Sequence, residues 1–227
     1  MSVAQQDVNA LVAYCRNILG EQELWIEPEG YPSSLALCLI DSIYSTGSHY
    51  RSVVNVVNRY RTAHGHNDGA AALLQSMAAA GGAREWAETV ADNLKPAHTK
   101  RGALLKAEVI QQAAQLMVDH DIDTVEDLVA VVRASPTDNP IHDAWKKLPS
   151  QRSGVTYSYL LLLAGLPSVK PDRMVLRFLQ KALGSDVALT TNRAIELVMA
   201  AAQELEVSPR TRDHVIWRAA SGRELTA

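Results

Sequence analysis

The chain has 227 residues, 47% of them hydrophobic, and a formal net charge of -3. That apolar content supplies a core for one domain or two intimate lobes. The mild acidity excludes a strongly basic nucleic-acid footprint over the whole surface, so any nucleic-acid site has to come from a local patch. Only Cys15 and Cys38 are present, which excludes a disulfide framework or a four-cysteine cluster within one chain. Both sit in apolar helical patterns and read as buried free thiols, suited to a reducing compartment. The opening MSVAQQDVNALVAYC lacks the charged start and long apolar stretch of a signal peptide. No segment approaches the roughly 20 apolar residues of a membrane span. The expectation is a soluble, cytoplasmic monomer with no membrane partner.

Helical periodicity runs through the chain. VNALVAYCRNIL puts Val8, Leu11, Val12, Cys15 and Leu19 on one stripe, and Gly20 stops it. A connector follows to Pro32. A strongly apolar helix then starts at Ser33, runs through Leu35, Leu37, Cys38, Leu39 and Ile40, and breaks near Gly47. HYRSVVNVVNRYR resumes with Val53, Val54 and Val57 inward. AHGHNDG is a polar loop, and two alanine-rich helices flank Gly81-Gly82. LLKAEVIQQAAQLMVDH is amphipathic, DTVEDLVAVVRAS opens with a capping box from Thr124 to Asp127, and NPIHDAWKKLP is a turn or two ended by Pro149. Near the end, TTNRAIELVMAAAQEL repeats apolar residues at helical spacing, and SPRTRDHVIWRAAS starts on Ser208 as N-cap with Pro209 behind it. No period-two run is long enough to force a strand. The pattern predicts an all-α protein of about ten helices.

Several residue groups invite chemistry. His64, His66 and Asp68 in HGHND lack a third and fourth ligand at metal-site spacing, and the segment reads as a solvated loop. DHDID at 119–123 lacks the glycine and terminal Glu of a calcium loop and reads as a helix end and turn. No phosphate loop, Gly-x-Gly-x-x-Gly or Gly-x-Ser-x-Gly occurs, and neither metal nor cofactor is expected. Asp172 stands behind Pro171 at the start of RMVLRFLQKAL. It reads as an N-cap, and capping is compatible with chemistry. A carboxylate at a helix N-terminus is kept ionised by the dipole and by free backbone N–H groups, as a reaction passing through a cationic, oxocarbenium-like state requires. LPSQRSG, residues 148–154, joins two helices through a short polar loop ending in Gly154. Backbone N–H groups at such a turn can hold a phosphate oxygen, with Lys146, Lys147 and Arg152 as counter-charge. An ordinary helix–helix connection has the same pattern.

Together these residues resemble the helix-hairpin-helix DNA glycosylases of the endonuclease III superfamily. In that family a Leu-Pro-Gly-x-Gly hairpin starts a helix, and a catalytic Asp lies shortly downstream. Here Leu148-Pro149 opens the hairpin, VTYSYLLLLAG follows, and Asp172 falls at the family's catalytic position without a gap. YPSSLALCLIDSIYSTGSHYRSVVNVV is similar to the family's early helix, which ends in a loop that wedges into the duplex. GALLKAEVI is similar to its lysine-alanine helix start, at Lys106 and Ala107. The resemblance covers roughly residues 30 to 180. It departs in three places. Gly154 stands where strand-cleaving members carry a Schiff-base lysine, so lyase activity is not expected. Ser150 and Arg152 replace hairpin glycines. The family's four-cysteine iron–sulfur motif is absent.

The resemblance implies two helical lobes with a central cleft. Residues 31–154 would form one lobe, ending in the hairpin; residues 1–30 plus 155–227 would form the other, carrying Asp172. The implied activity is that of a monofunctional DNA glycosylase, which flips a modified or damaged base out of double-stranded DNA and hydrolyses its N-glycosidic bond. Asp172 is the expected catalytic residue. Tyr44, Ser45, Ser150, Arg152, Ser153, Gly154, Lys170 and Arg173 are the expected DNA contacts, with Tyr44 at the wedge. His49, Arg51, Lys100, Arg101 and Arg177 are further backbone candidates. Asp41, Tyr157, Trp86 and Trp217 are the base-pocket candidates, joined by Tyr159 and His98. Two other classes stay open: a non-catalytic helix-hairpin-helix DNA-binding module and a helical protein-interaction domain.

Overall fold

The computed structural model describes residues 4–25, 27–184 and 189–222. Residues 1–3, 26, 185–188 and 223–227, all assigned above to the second lobe, lie outside the described residues. The helices are α1 (Gln5–Ile18), α2 (Leu35–Tyr44), α3 (Tyr50–His64), α4 (Ala70–Ala79), α5 (Ala83–Thr89) and α6 (Lys106–Val118). They continue with α7 (Val125–Val132), α8 (Pro140–Trp145), α9 (Val155–Leu163), α10 (Arg173–Leu183), α11 (Thr191–Glu204) and α12 (Pro209–Ala220). A single isolated bridge, Pro96 to Leu105, is the nearest approach to a sheet among the described residues. The protein is all-α, and no described helix is long and apolar enough to cross a membrane.

The chain divides into two compact units, one of residues 30–166 and one of residues 1–29 with 167–227. The second boundary therefore falls at Leu166 instead of Gly154. The reason is α9, which packs along α2. The N–H of Tyr31 donates to the carbonyl of Leu163 at 2.8 Å. Gly30, at φ +68°, lies so close that an added Cβ would stand 2.5 Å from that same oxygen, so only glycine fits there.

In the contiguous unit, all ten residues of α2 are buried. A helix apolar all round needs neighbours on every side, and α3, α4, α6 and α9 supply them. Its ends are buried too, so their backbone groups need partners. At the start, Ser34 Oγ accepts the Leu37 N–H at 3.2 Å. At the end stands Lys106, 2% exposed. Its ammonium donates to the carbonyls of Tyr44, at 2.7 Å, and Thr46, and to the Ser48 hydroxyl at 3.1 Å. A cation among these carbonyls also meets the negative end of the α2 dipole. Asp123 caps α4 in a similar way, accepting the Ala70 N–H on its carbonyl at 3.0 Å and the Ala71 N–H on Oδ1 at 2.7 Å. The expected capping box of α7 is present, with Thr124 and Asp127 bonded reciprocally.

In the HGHND segment His64, His66 and Asn67 are exposed, as a solvated loop requires, and Asp68 is half-buried. Asp68 Oδ2 accepts from Tyr60 at 2.9 Å, its carbonyl accepts the Ala36 N–H at 3.1 Å, and His64 Nε2 pairs with Ser76 Oγ at 2.9 Å.

The second unit packs α1 on α10 and α11, and α12 on both of these. Leu11, Cys15, Val198, Leu179 and Ile216 are wholly buried between them, and Tyr14 meets Phe178 edge to face at 5.1 Å. Three of the four helix heads here carry a short polar cap: Asp172 on α10, Thr190 on α11, and Ser208 with Pro209 behind it on α12; α1 starts on Ala4 without one.

Lys106→Met keeps the apolar stem but takes the donor from three oxygens, of which the Tyr44 carbonyl is in the core. The expected loss is about 2–4 kcal/mol, read as a lower urea midpoint at unchanged m-value; an unaltered midpoint contradicts this account of α2.

Candidate functional site

The strap Pro167–Asp172 leads into α10. Its two prolines lack N–H groups and hold φ near −65°, and Val169 is wholly buried in the apolar core of its unit. Asp172 is half-buried and extended (φ −79°, ψ 179°). Its Oδ1 accepts two backbone N–H groups, from Met174 at 2.8 Å and Val175 at 3.1 Å. Oδ2 makes no hydrogen bond among the described residues, so one oxygen anchors the helix and the other is left for a further partner. Arg173, beside it, is exposed and Lys170 half-buried.

A second carboxyl stands close by. Asp213, on α12, is 6% exposed, and its Oδ1 accepts the Lys170 N–H at 2.9 Å. Burial, with a smaller push from the Asp172 charge and against the pull of Lys170, raises its pKa to about 7.

The turn between α8 and α9 belongs to the other unit. It is two overlapping turns: Gln151 N–H donates to the Leu148 carbonyl and Gly154 N–H to the Gln151 carbonyl, each at 3.0 Å. Ser150 (φ +66°) and Gly154 (φ +74°) both sit in the left-handed region. A buried relay stiffens it from below. Trp145 Nε1–H donates to Thr156 Oγ1 at 2.9 Å, Thr156 donates to Gln151 Oε1, and Gln151 Nε2 donates to the Pro149 carbonyl at 3.0 Å. His142 lies under Gly154 and against Tyr157, with ring centroids 5.1 Å apart. Burial and nearby Lys146 lower its pKa, so the ring is neutral there. Ser150, Arg152 and Ser153 are exposed at the tip.

Four of the expected site residues lie elsewhere. Tyr44 is 1% exposed and its hydroxyl donates to the Asn93 carbonyl at 3.1 Å; it fills the core and is no duplex wedge. Asp41 is 4% exposed, and its Oδ2 accepts from Tyr31 at 2.8 Å inside the core. Trp86 is wholly buried, donating to Ser76 Oγ at 3.0 Å. Tyr157 is 1% exposed and bonded to Asn139. None of these four presents a face to a base. Trp217 is half-buried and stacks on His214 with centroids 6.4 Å apart. Ser45 ends α2, bonding the Ser42 carbonyl at 3.2 Å. The loop beyond it and the first turn of α3 are tied to the loop before α6: Lys95 Nζ donates to the Gly47 carbonyl, and Asn93 Nδ2 to Ser52 Oγ at 3.1 Å. His49, His98, Lys100 and Arg101 are exposed on the two joined loops, and Arg51 in the first turn of α3.

Sequence reasoning missed Asp213, Gln151, Thr156 and Arg212. Arg212 is wholly buried beside Cys15, under the Trp25 ring at 5.0 Å, and none of its side-chain nitrogens makes a hydrogen bond among the described residues. Asp213 had a signal. With α12 started at Pro209, an acid at 213 falls three residues before Ile216, on the apolar face.

The Asp213 shift has a sign that can be measured. A carboxyl whose pKa is raised by folding contributes stability that is fully present below the unfolded value, near 4, and is lost as pH rises through about 7. Wild type is therefore expected to lose on the order of 2–4 kcal/mol relative to Asp213→Asn across that window. Denaturant midpoints of the two proteins at a series of pH values check it; parallel pH curves contradict it.

No curated protein and no solved structure matches this chain. One family model does, over residues 9–221, a span that holds Asp172, Asp213 and the turn at 148–154. The chain belongs to that family, the domain of unknown function DUF8548.

Proposed function

We propose that the protein is a monofunctional DNA glycosylase of the helix-hairpin-helix type, hydrolysing the N-glycosidic bond of a modified or damaged base. The observation that carries this reading is the state of Asp172: Oδ1 held by two backbone N–H groups at the head of α10, Oδ2 without a hydrogen bond among the described residues, and the side chain half-buried. Capping alone uses one oxygen. The second is a fixed negative charge of the kind that a cationic sugar requires.

In this reading, duplex DNA is bent and one nucleotide extruded, at an unstacking cost of a few kcal/mol. As the bond from C1′ to the base nitrogen breaks, its electron pair leaves with the base, and Asp172 Oδ2 stabilises the positive charge left on the sugar. The same carboxylate orients a water at C1′ and helps take its proton. The products are a free base and an abasic site. Ser150, Arg152 and Ser153 would grip a phosphate at the turn, whose left-handed residues and buried relay give it a set shape; Gly154, expected among these contacts, is buried with its N–H bonded to the Gln151 carbonyl. Lys170 and Arg173 flank Asp172 as backbone contacts. The two joined loops and the first turn of α3 add His49, Arg51, Lys100 and Arg101. Of the proposed pocket residues, Trp217, Tyr159 and His98 remain. Gly154 offers no amine, so no imine with the sugar forms there.

Asp172→Asn tests the reading cleanly, since Asn is as good an N-cap as Asp and keeps α10 in place. Base release and alkali-labile sites are measured on a panel of duplexes carrying alkylated, oxidised, deaminated or hypermodified bases. The expected result is release by wild type and a fall of about 1000-fold in the variant, with DNA affinity retained. Equal turnover in both proteins refutes the assignment. Salt-sensitive binding without release points to the non-catalytic module, and no binding at low salt to a protein-interaction domain.

A further inference from the structure

Asp213, Lys170 and Asp172 are linked in series. Asp213 Oδ1 accepts the Lys170 N–H at 2.9 Å, the Lys170 carbonyl accepts the Asp172 N–H at 2.7 Å, and Asp172 Oδ1 caps α10. The strap has few other means of holding its course. Pro167 and Pro171 have no N–H to donate, while Val169 fixes one point by burial in the core. The bond from Asp213 fixes the next residue, two positions before Asp172.

A single backbone N–H needs only an acceptor, and Asn supplies one without placing a titratable group where charge is costly. An acid at 213 does more than the architecture asks. It puts a second carboxyl within Coulomb range of Asp172, whose charge adds to the effect of burial on Asp213. The charged groups acting on Asp213 are Lys170, from the strap, and Asp172, from the head of α10; α11, the other helix packed on α12, brings none to it among the described residues.

We propose that Asp213 is a positioning residue for Asp172, holding through the Lys170 backbone the strap that aims the free Oδ2, and adding its own charge beside that oxygen when it ionises. This rests on the reading of Asp172 as the hydrolytic carboxylate. Loss of the Asp213 proton near pH 7 sets a second negative charge behind the first. A developing sugar cation is stabilised by both, so turnover rises as pH increases through that region.

The test compares wild type, Asp213→Asn and Asp213→Leu. Single-turnover base release from a substrate duplex is followed from about pH 5.5 to 8.5, the span over which such a group titrates. Wild type shows the rise. Asn keeps the acceptor but cannot ionise, so its profile is flat through pH 7. Leu leaves the Lys170 N–H without its partner and lowers turnover about 100-fold at unchanged DNA affinity, as expected for a displaced catalytic group. Asn recovers much of what Leu loses. The same rise in the Asn variant, or full turnover in a folded Leu variant, overturns the inference while leaving Asp172 in its role. A second measurement needs no turnover: the carboxyl carbon resonance of Asp213, titrated in wild type and in Asp172→Asn, shifts to a lower pKa once the neighbouring charge is gone. An unmoved titration overturns the inference on its own. Absence of base release from wild type, with that titration shift present, defeats the glycosylase reading and separates the two failures.

Discussion

A helix with no polar side can exist in water only when other elements wrap it completely, and α2 imposes that condition on the contiguous unit. Leu35, Leu37, Leu39 and Ile40 point in different directions, and each is wholly or almost wholly buried. Burying a side chain of this size is worth about 1.5–3 kcal/mol, so four surrounding helices are the cheapest solution. The cost appears at the helix ends, where carbonyls and N–H groups are carried into the core. Ser34 and Lys106 answer it. The lysine is the sharper case: an ammonium with almost no water contact, tolerated because three oxygens surround it.

The same logic governs the second unit on a smaller scale. Its helix heads are finished by Asp172, Thr190 and Ser208, and the strap into α10 is pinned by a buried apolar residue and a buried acid. What distinguishes Asp172 from an ordinary cap is that, among the described residues, only one of its oxygens is used. What distinguishes Asp213 from an ordinary acceptor is that it titrates near neutrality. Structural economy explains the first oxygen and the single hydrogen bond, and chemistry explains what remains.

Much of this was legible beforehand. Ser208-Pro209, Thr124 with Asp127, and Asp172 before an amphipathic run are local signals, because a cap and its helix are neighbours in sequence. Burial is not local. Tyr44 and Trp86 looked available because an aromatic at a helix end or in a short alanine-rich helix carries no mark of what packs on it, and both are core. Asp41 looked exposed to function because its partner, Tyr31, lies before the helix begins. The relay under the turn joins Trp145, Thr156 and Gln151 across two elements, so no spacing rule finds it. Lys170 and Asp213 meet across 43 positions. The unit boundary at Leu166 was missed for the same reason: α9 follows the turn in sequence but shares its apolar surface with α2.

One unit is a single uninterrupted stretch of chain, residues 30–166, while the other is assembled from the residues before it and those after it. During synthesis, which proceeds from the N-terminus, the uninterrupted unit has all of its parts once Leu166 clears the ribosome. The first helix by then has waited through that whole interval, its apolar stripe still lacking α10, α11 and α12. The acid at 172 can therefore acquire its neighbour at 213 only after everything around α2 has been made.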